Sequence, residues 1–245
     1  MHYVNEHMKS IRNSYWLGAL TLSMVLTSCA DMGPSQEIQD LRVKATAGDA
    51  AAQESLGHAY DRGRGVKPDI AEAAKWYEAA ATQGNSEAQN DIGSLYLYGE
   101  GVPKDGRKAC DWFAKSAAQN NIHGKGNLAF CYDEGIGVEK DLAKAAALYE
   151  ETANAGNIQS MLNIGVDYWQ GDGLHKDLVK GYMWLDLARF YTQTGGANRQ
   201  LKWHVRSALD EISREMSPED IAQGEVLARA WDKENRAKVQ AAPKY

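Results

Sequence analysis

An all-α fold, built as a solenoid of antiparallel helix pairs, is what this sequence predicts, and three observations carry the prediction. Tyr60, Tyr96, Tyr132 and Tyr168 recur at a step of 36 residues. Glycine pairs keep the same step: Gly63 and Gly65, Gly99 and Gly101, Gly135 and Gly137, Gly171 and Gly173. Between these markers, apolar and small residues follow a helical period rather than the alternation of a strand. Many positions agreeing over four copies without an insertion identify an internal repeat. One helical hairpin cannot bury such a face alone, so the copies must stack into a superhelix.

The composition is that of a folded chain, 44% hydrophobic and 24% charged over 245 residues, outside the range of disordered sequences. A net charge of −6 argues against a generic nucleic-acid binder, which is usually basic.

The N-terminus reads as a targeting segment. Lys9 and Arg12 precede an uncharged, largely apolar run from Ser14 to Ser28, the pattern of a signal peptide over residues 1–28. The run is short for a membrane span, which needs about 20 apolar residues. Met8 makes a better start than Met1, because His2 to His7 add nothing to the signal. Leu26-Thr27-Ser28-Cys29 resembles the bacterial lipobox, whose cysteine is lipid-modified and becomes the new N-terminus. The resemblance implies lipidation of Cys29 and attachment to the membrane through that lipid only. Ala30 stands where Asp is the usual inner-membrane retention signal, so the expected location is the periplasmic side of the outer membrane of a Gram-negative bacterium. A plain cleaved signal, with Cys29 an ordinary residue, is the alternative. Residues 29–35 form the lipidated cysteine and tether. Residues 36–47, with Ile38, Leu41 and Ala45 in helical phase, form an N-terminal capping helix.

The four copies occupy residues 48–191. In the second, Ala88, Ile92, Leu95 and Tyr96 make a helical stripe. Gly99 ends that helix by taking the left-handed conformation, and Gly101 permits the reversal. Asp105 is positioned to cap the next helix, whose inner side carries Ala109, Trp112, Phe113 and Ala117. The first copy reads Ala52, Leu56, Gly57, Tyr60, Gly63, Gly65, Val66, Asp69, Ala73 and Trp76. This resembles the Sel-one-like repeat, a family related to the tetratricopeptide repeats. The resemblance implies a right-handed superhelical solenoid that binds other proteins. Ala129 departs from the pattern where a helix glycine is usual, and Asn120-Asn121 replaces a Gly-Asn turn. Gly181 stands for Ala, which predicts an irregular second helix in the fourth copy.

Residues 192–235 read as the C-terminal cap, with two helices after Gly195-Gly196 that lack the repeat. Leu201, Val205, Leu209 and Ile212 mark the first. Ser217 and Pro218 open the second as cap and first helical residue, with Ile221, Leu227 and Trp231 on its inner side. Residues 236–245 read as a frayed tail.

A search for chemistry finds little. The histidines outside the presequence, at 58, 123, 175 and 204, fit no HExxH or His/Cys metal spacing. The G-x-G pairs follow helices rather than strands and lack the lysine of a phosphate loop, so they are turn residues. No G-x-S-x-G elbow is present. The expectation is no enzyme activity, no cofactor and no metal. Cys110 and Cys131 lie about level on adjacent antiparallel helices. They are either a disulfide, as suits an exported chain, or two small buried hydrophobes.

In the Sel-one-like family the first helices line the concave surface. A ligand face must lie at their variable positions, which here form one helical face: His58, Asp61, Arg62, Leu97, Tyr98, Phe130, Asp133, Glu134, Trp169 and Gln170. Aromatics among a few charges are what interface hot spots favour. The alternative for Phe130 and Trp169 is packing between copies. The function expected is a lipid-anchored periplasmic scaffold or adaptor holding a protein or peptide in its groove. An immunity lipoprotein that neutralises a toxic effector delivered to the periplasm is the runner-up. A cell-wall-directed enzyme is disfavoured by the missing chemistry.

Overall fold

The computed structural model describes residues 34–194 and 199–241. The presequence, Cys29, most of the tether, the Gly195-Gly196 turn and the last four residues lie outside them. Every element among the described residues is a helix, and they fall into two compact units divided after Leu148.

The first unit opens with α1 (Gln36–Thr46), followed by the pair α2 (Ala50–Arg62) and α3 (Ile70–Thr82), then α4 (Ser86–Tyr98) and α5 (Gly106–Ala118), and then α6 (Ile122–Glu134). α7 (Leu142–Asn154) begins in this unit and ends in the next. Short polar side chains start these helices by accepting from exposed backbone N–H groups. Asp49, Asn85 and Asn121 cap α2, α4 and α6, and Asp69 and Asp105 cap α3 and α5. α2, α4 and α6 all end at a left-handed glycine, Gly63, Gly99 or Gly135, whose N–H returns to a carbonyl four residues back. The turn after each helix is then pinned from the other side. Asp69 N–H donates to Tyr60 C=O, Asp105 to Tyr96 and Asp141 to Tyr132.

The second glycine of the turn sets the distance between copies at Gly101 and Gly137. A Cβ on Gly101 would lie 2.5 Å from the Ile70 carbonyl oxygen, and one on Gly137 would lie 2.5 Å from Arg107 Cα. The turn of one copy is thus pressed, backbone on backbone, onto the first turn of the preceding copy's second helix. The only non-glycine with positive φ among the described residues is Asn120, at 62°. It occupies the turn position that Gly48 and Gly84 fill elsewhere, and asparagine tolerates this region better than other side chains.

The core is small residues around a few large ones. Ala73, Ala80, Ala88 and Ala109 are fully buried, and Leu56, Ile92, Tyr77 and Phe113 fill the space between them. The repeated tyrosine is braced at both ends. Tyr96 stands under Lys108, its ring 5.1 Å from Nζ, and donates its hydroxyl hydrogen to Glu78. Two buried glutamines add polar ties: Gln53 donates to Ala45 C=O and Gln89 to Ala81 C=O, and the exposed Gln119 donates to the Gln89 side chain.

The second unit continues through α8 (Ile158–Gln170), α9 (Leu178–Thr194), α10 (Arg199–Ser213) and α11 (Pro218–Ala241). Asn157 caps α8, and Gly171 ends it. The expectation of an irregular α9 is wrong. It runs unbroken through Gly181, where α8 and α9 approach so closely that a Cβ would meet Gly165 C=O at 2.9 Å. The missing side chain serves contact rather than a bend. Val205, Leu209 and Ile212 of α10 are buried. α11 does not stop at 235 as the sequence reading has it. It continues to Ala241, because Val239 packs on the turn at Gly156. Its inner face is also displaced: Gly224 and Ala228 are buried, Trp231 meets Trp184 edge-on at 5.4 Å, and Leu227 is exposed.

Gly48 and Gly101 separate backbone strain from contact, since a Cβ on Gly48 would meet nothing. Gly48→Ala is expected to cost about 1 kcal/mol, the strain of a positive φ. Gly101→Ala must cost distinctly more, read as the difference between the two urea midpoints. Equal losses would remove backbone contact as the determinant of spacing.

Candidate functional site

The variable positions of the first helices do share a side of each helix, but the structure splits them by accessibility. Arg62 and Gln170 are exposed, while His58, Asp61, Tyr98, Phe130 and Glu134 are half-buried. Leu97, Asp133 and Trp169 are not available to a partner, being 6%, 1% and 5% exposed. Leu97 belongs to the core of the first unit, with Tyr98 and Phe130 packed partly against it. Trp169 is covered in the second unit, where its Nε1–H donates to Glu215 at 3.0 Å and Lys176 holds the other oxygen of the same carboxylate at 3.1 Å. For Trp169 the packing alternative is therefore the observed one. Apolar residues at positions three apart on a helix are shared between lining a groove and closing the neighbouring pair, and only burial separates the two.

What remains open on the first unit is a face of mixed chemistry on α2, α4 and α6: Arg62, Asp61 and His58, then Tyr98, then Phe130 and Glu134. Gln170 lies on α8, in the other unit.

Cys110, on α5, and Cys131, on α6, are joined by a disulfide with their Cα atoms 6.0 Å apart. The two helices belong to different copies, so the bond crosses a repeat boundary.

Sequence reasoning missed one group of side chains entirely. His58 Nε2 lies 2.7 Å from Glu54 Oε1, one turn back on α2, and 3.4 Å from Asp91 Oδ2 on α4. The other ring nitrogen, Nδ1, is 2.7 Å from the hydroxyl of Tyr77 on α3, whose ring meets the imidazole edge-on. The Glu54 carboxylate accepts the Nε2 hydrogen and raises the His58 pKa, against the effect of burial. Burial pushes Asp91 up to about 6, with the His58 charge opposing. The Tyr77 hydroxyl is held far above its usual range by burial. Glu54, His58 and Asp91 each offer one metal-ligand atom, all within 4.8 Å of one another. A signal was present in the sequence. Asp91 follows Glu54 by 37 residues, one more than the repeat, and the same step joins Asn90 to Asn127 by a hydrogen bond of 2.8 Å. Residues at that step sit side by side on successive first helices.

Helix pairs capped by Asp or Asn, closed by paired glycines and stacked at a constant step define a helical-hairpin repeat protein. The Sel1 repeat family model matches residues 50–85, 86–121, 126–157 and 158–189, more than half of the chain. The chain belongs to the Sel1 repeat family. Its fold is similar to that of a Sel1 repeat protein from Oxalobacter formigenes, with 26% identity and a TM-score of 0.59 over 74% of this chain and 78% of that one. It is also similar to c5321, a protective antigen of uropathogenic Escherichia coli displaying an SLR fold, with 23% identity and a TM-score of 0.55 over 84% of this chain. The match spans half the length of that antigen. No curated protein shows significant sequence similarity.

Two outcomes follow from the geometry. Trp169→Ala is expected to lower unfolding free energy by about 3–5 kcal/mol, as large-to-small core changes do; a melting temperature matching the wild type would return Trp169 to the surface. Reducing the Cys110–Cys131 bond, which closes a loop of 21 residues, should cost roughly 3 kcal/mol. Coincident urea curves with and without reductant would contradict this.

Proposed function

We propose that this protein is a lipid-anchored periplasmic scaffold or adaptor that holds another protein on the first-helix face of its repeats. Sel1 repeat proteins are generally protein–protein interaction scaffolds, which supports the coarse reading. The observation that carries the finer one is the accessible set on α2, α4 and α6. Arg62 is exposed there, and Tyr98, Phe130 and Glu134 are half-buried, Tyr98 and Phe130 with one side against the core. An arginine and aromatics with an acidic neighbour are the residue types that dominate binding energy at interfaces.

Export is supported by two features of the chain. Leu26-Thr27-Ser28-Cys29 has the form of a lipobox, and a disulfide at Cys110 and Cys131 persists in oxidising compartments rather than in the cytosol. Among the described residues no helix is long and apolar enough to cross a membrane; the proposed attachment is the lipid on Cys29.

Each half of the proposal has its own measurement. Cys29→Ser should move the protein from the membrane fraction to the soluble one and abolish incorporation of labelled fatty acid; a variant that stays on membranes and is still labelled removes the anchor. For the face, wild-type protein and the variants Arg62→Glu and Tyr98→Ala are used to capture partners from periplasmic extract. The expected result is a partner retained by the wild type and weakened by about 2 kcal/mol in each variant, at unchanged melting temperature for Arg62→Glu. Equal affinity in all three would place binding elsewhere.

A further inference from the structure

The group around His58 holds a charge arrangement that stacking the helices does not resolve. His58 Nε2 carries at most one hydrogen, yet two carboxylates face it, from Glu54 and from Asp91. The nearer one takes the hydrogen. Asp91 Oδ2 is sealed from water and has no hydrogen-bond partner, a costly state for a carboxylate oxygen. Protonating His58 fully would neutralise one of the two negative charges, whereas a dication neutralises both.

The next copy shows that the fold does not need these charges. Asn90, Ser94 and Asn127 stand there in place of Glu54, His58 and Asp91, and Phe113 in place of Tyr77. Asn127 donates to Asn90 at 2.8 Å, and Ser94 donates to the Asn90 backbone carbonyl at 3.1 Å. That rung is neutral and hydrogen-bonded. The first rung differs from it by two carboxylates that face His58 Nε2 and a phenol hydroxyl that meets Nδ1.

We propose that Glu54, His58 and Asp91 form a mononuclear site for a divalent transition metal, zinc being the best chemical match, with Tyr77 orienting the His58 ring. Zinc–ligand bonds of about 2.0–2.2 Å place neighbouring ligands of a tetrahedron roughly 3.3 Å apart. His58 Nε2 and Asp91 Oδ2 already have that separation at 3.4 Å, Glu54 would open from 2.7 Å, and all three ligand atoms lie within 4.8 Å of one another. One imidazole with two carboxylates is a donor set suited to zinc and too poor in oxygens for calcium, which takes six or more. Glu54 and His58 present their ligands together because they are four apart on one helix.

Binding through Nε2 puts the ring hydrogen on Nδ1, where the Tyr77 hydroxyl oxygen accepts it at 2.7 Å. Such an outer hydrogen bond fixes the tautomer and aim of metal-bound histidines. Tyr77 is itself buried, so water does not compete for the contact. The three ligand side chains are between one-fifth and about one-quarter exposed, at 21%, 27% and 23% for Glu54, His58 and Asp91. The site stands independently of the protein-binding reading.

The test uses purified protein stripped with a chelator. Cobalt is titrated as a spectroscopic probe, zinc affinity is measured by competition with a chromophoric chelator, and melting temperature is followed with added zinc. Wild type is expected to bind one equivalent, to develop visible cobalt bands of a low-coordinate site and to melt higher with zinc. The triple variant Glu54→Asn/His58→Ser/Asp91→Asn carries the second copy's own residues and should keep its helical circular dichroism while losing the site. Tyr77→Phe, the equivalent of Phe113, should weaken zinc by roughly 10–100-fold, as loss of an outer-shell partner does. If the triple variant does not fold, Asp91→Asn alone decides, and it should abolish the cobalt bands. Stripped wild type that gives neither cobalt bands nor a zinc-dependent melting shift overturns the proposal, as does a folded triple variant that binds as tightly as wild type.

Discussion

Backbone pressed on backbone at Gly101 and Gly137, the second glycines of the second and third turns, is the constraint on which the stacking of the first unit depends. Gly101 lies against the Ile70 carbonyl and Gly137 against Arg107, with no side chain between. That contact leaves no freedom in the spacing of successive copies within the first unit. Once the spacing is constant, a position in one copy faces the equivalent positions of its neighbours in the next. The tyrosine braced by lysine and glutamate recurs for this reason at Tyr96 and Tyr168. A bulkier residue in the turn would hold the copies apart, and dispersion contacts fall away within a fraction of an ångström.

The architecture was legible in the sequence because it is periodic. Glycines that end helices, caps that start them and apolar stripes between them each obey a local rule, and four copies let the rules check one another. The misreadings fell where periodicity ends or where one residue type has two uses. Gly181 predicts an irregular helix, yet it lets α9 approach α8. Leu227 was read onto the inner face of α11, where Gly224 and Ala228 lie, because small residues carry less weight in an apolar pattern than large ones. The last turns of α11 were missed because the contact that holds them, Val239 on Gly156, spans a long stretch of sequence.

The functional face was legible only in outline. Its helices and positions follow from the repeat, but accessibility does not. Trp169 and Leu97 share the pattern of Tyr98 and Phe130 and are nonetheless buried. Asp133, charged and therefore expected in solvent, is buried as well. The group of Glu54, His58, Asp91 and Tyr77 escaped notice because no single helix carries it. A motif search scans spacing within one segment, whereas a stacked repeat assembles side chains at its own period plus one.

The disulfide between Cys110 and Cys131 joins the second helix of one copy to the first helix of the next. Stacked repeats behave as a one-dimensional chain in which each copy is held only by its neighbours, and such chains open by fraying inward from an end. A covalent tie across one boundary halts that process, because the two copies it joins can open only together. In an oxidising compartment the second and third copies thus act as a single cooperative block. Hydrogen exchange and proteolysis, which sample local opening, would find that block the slowest part of the first unit to yield.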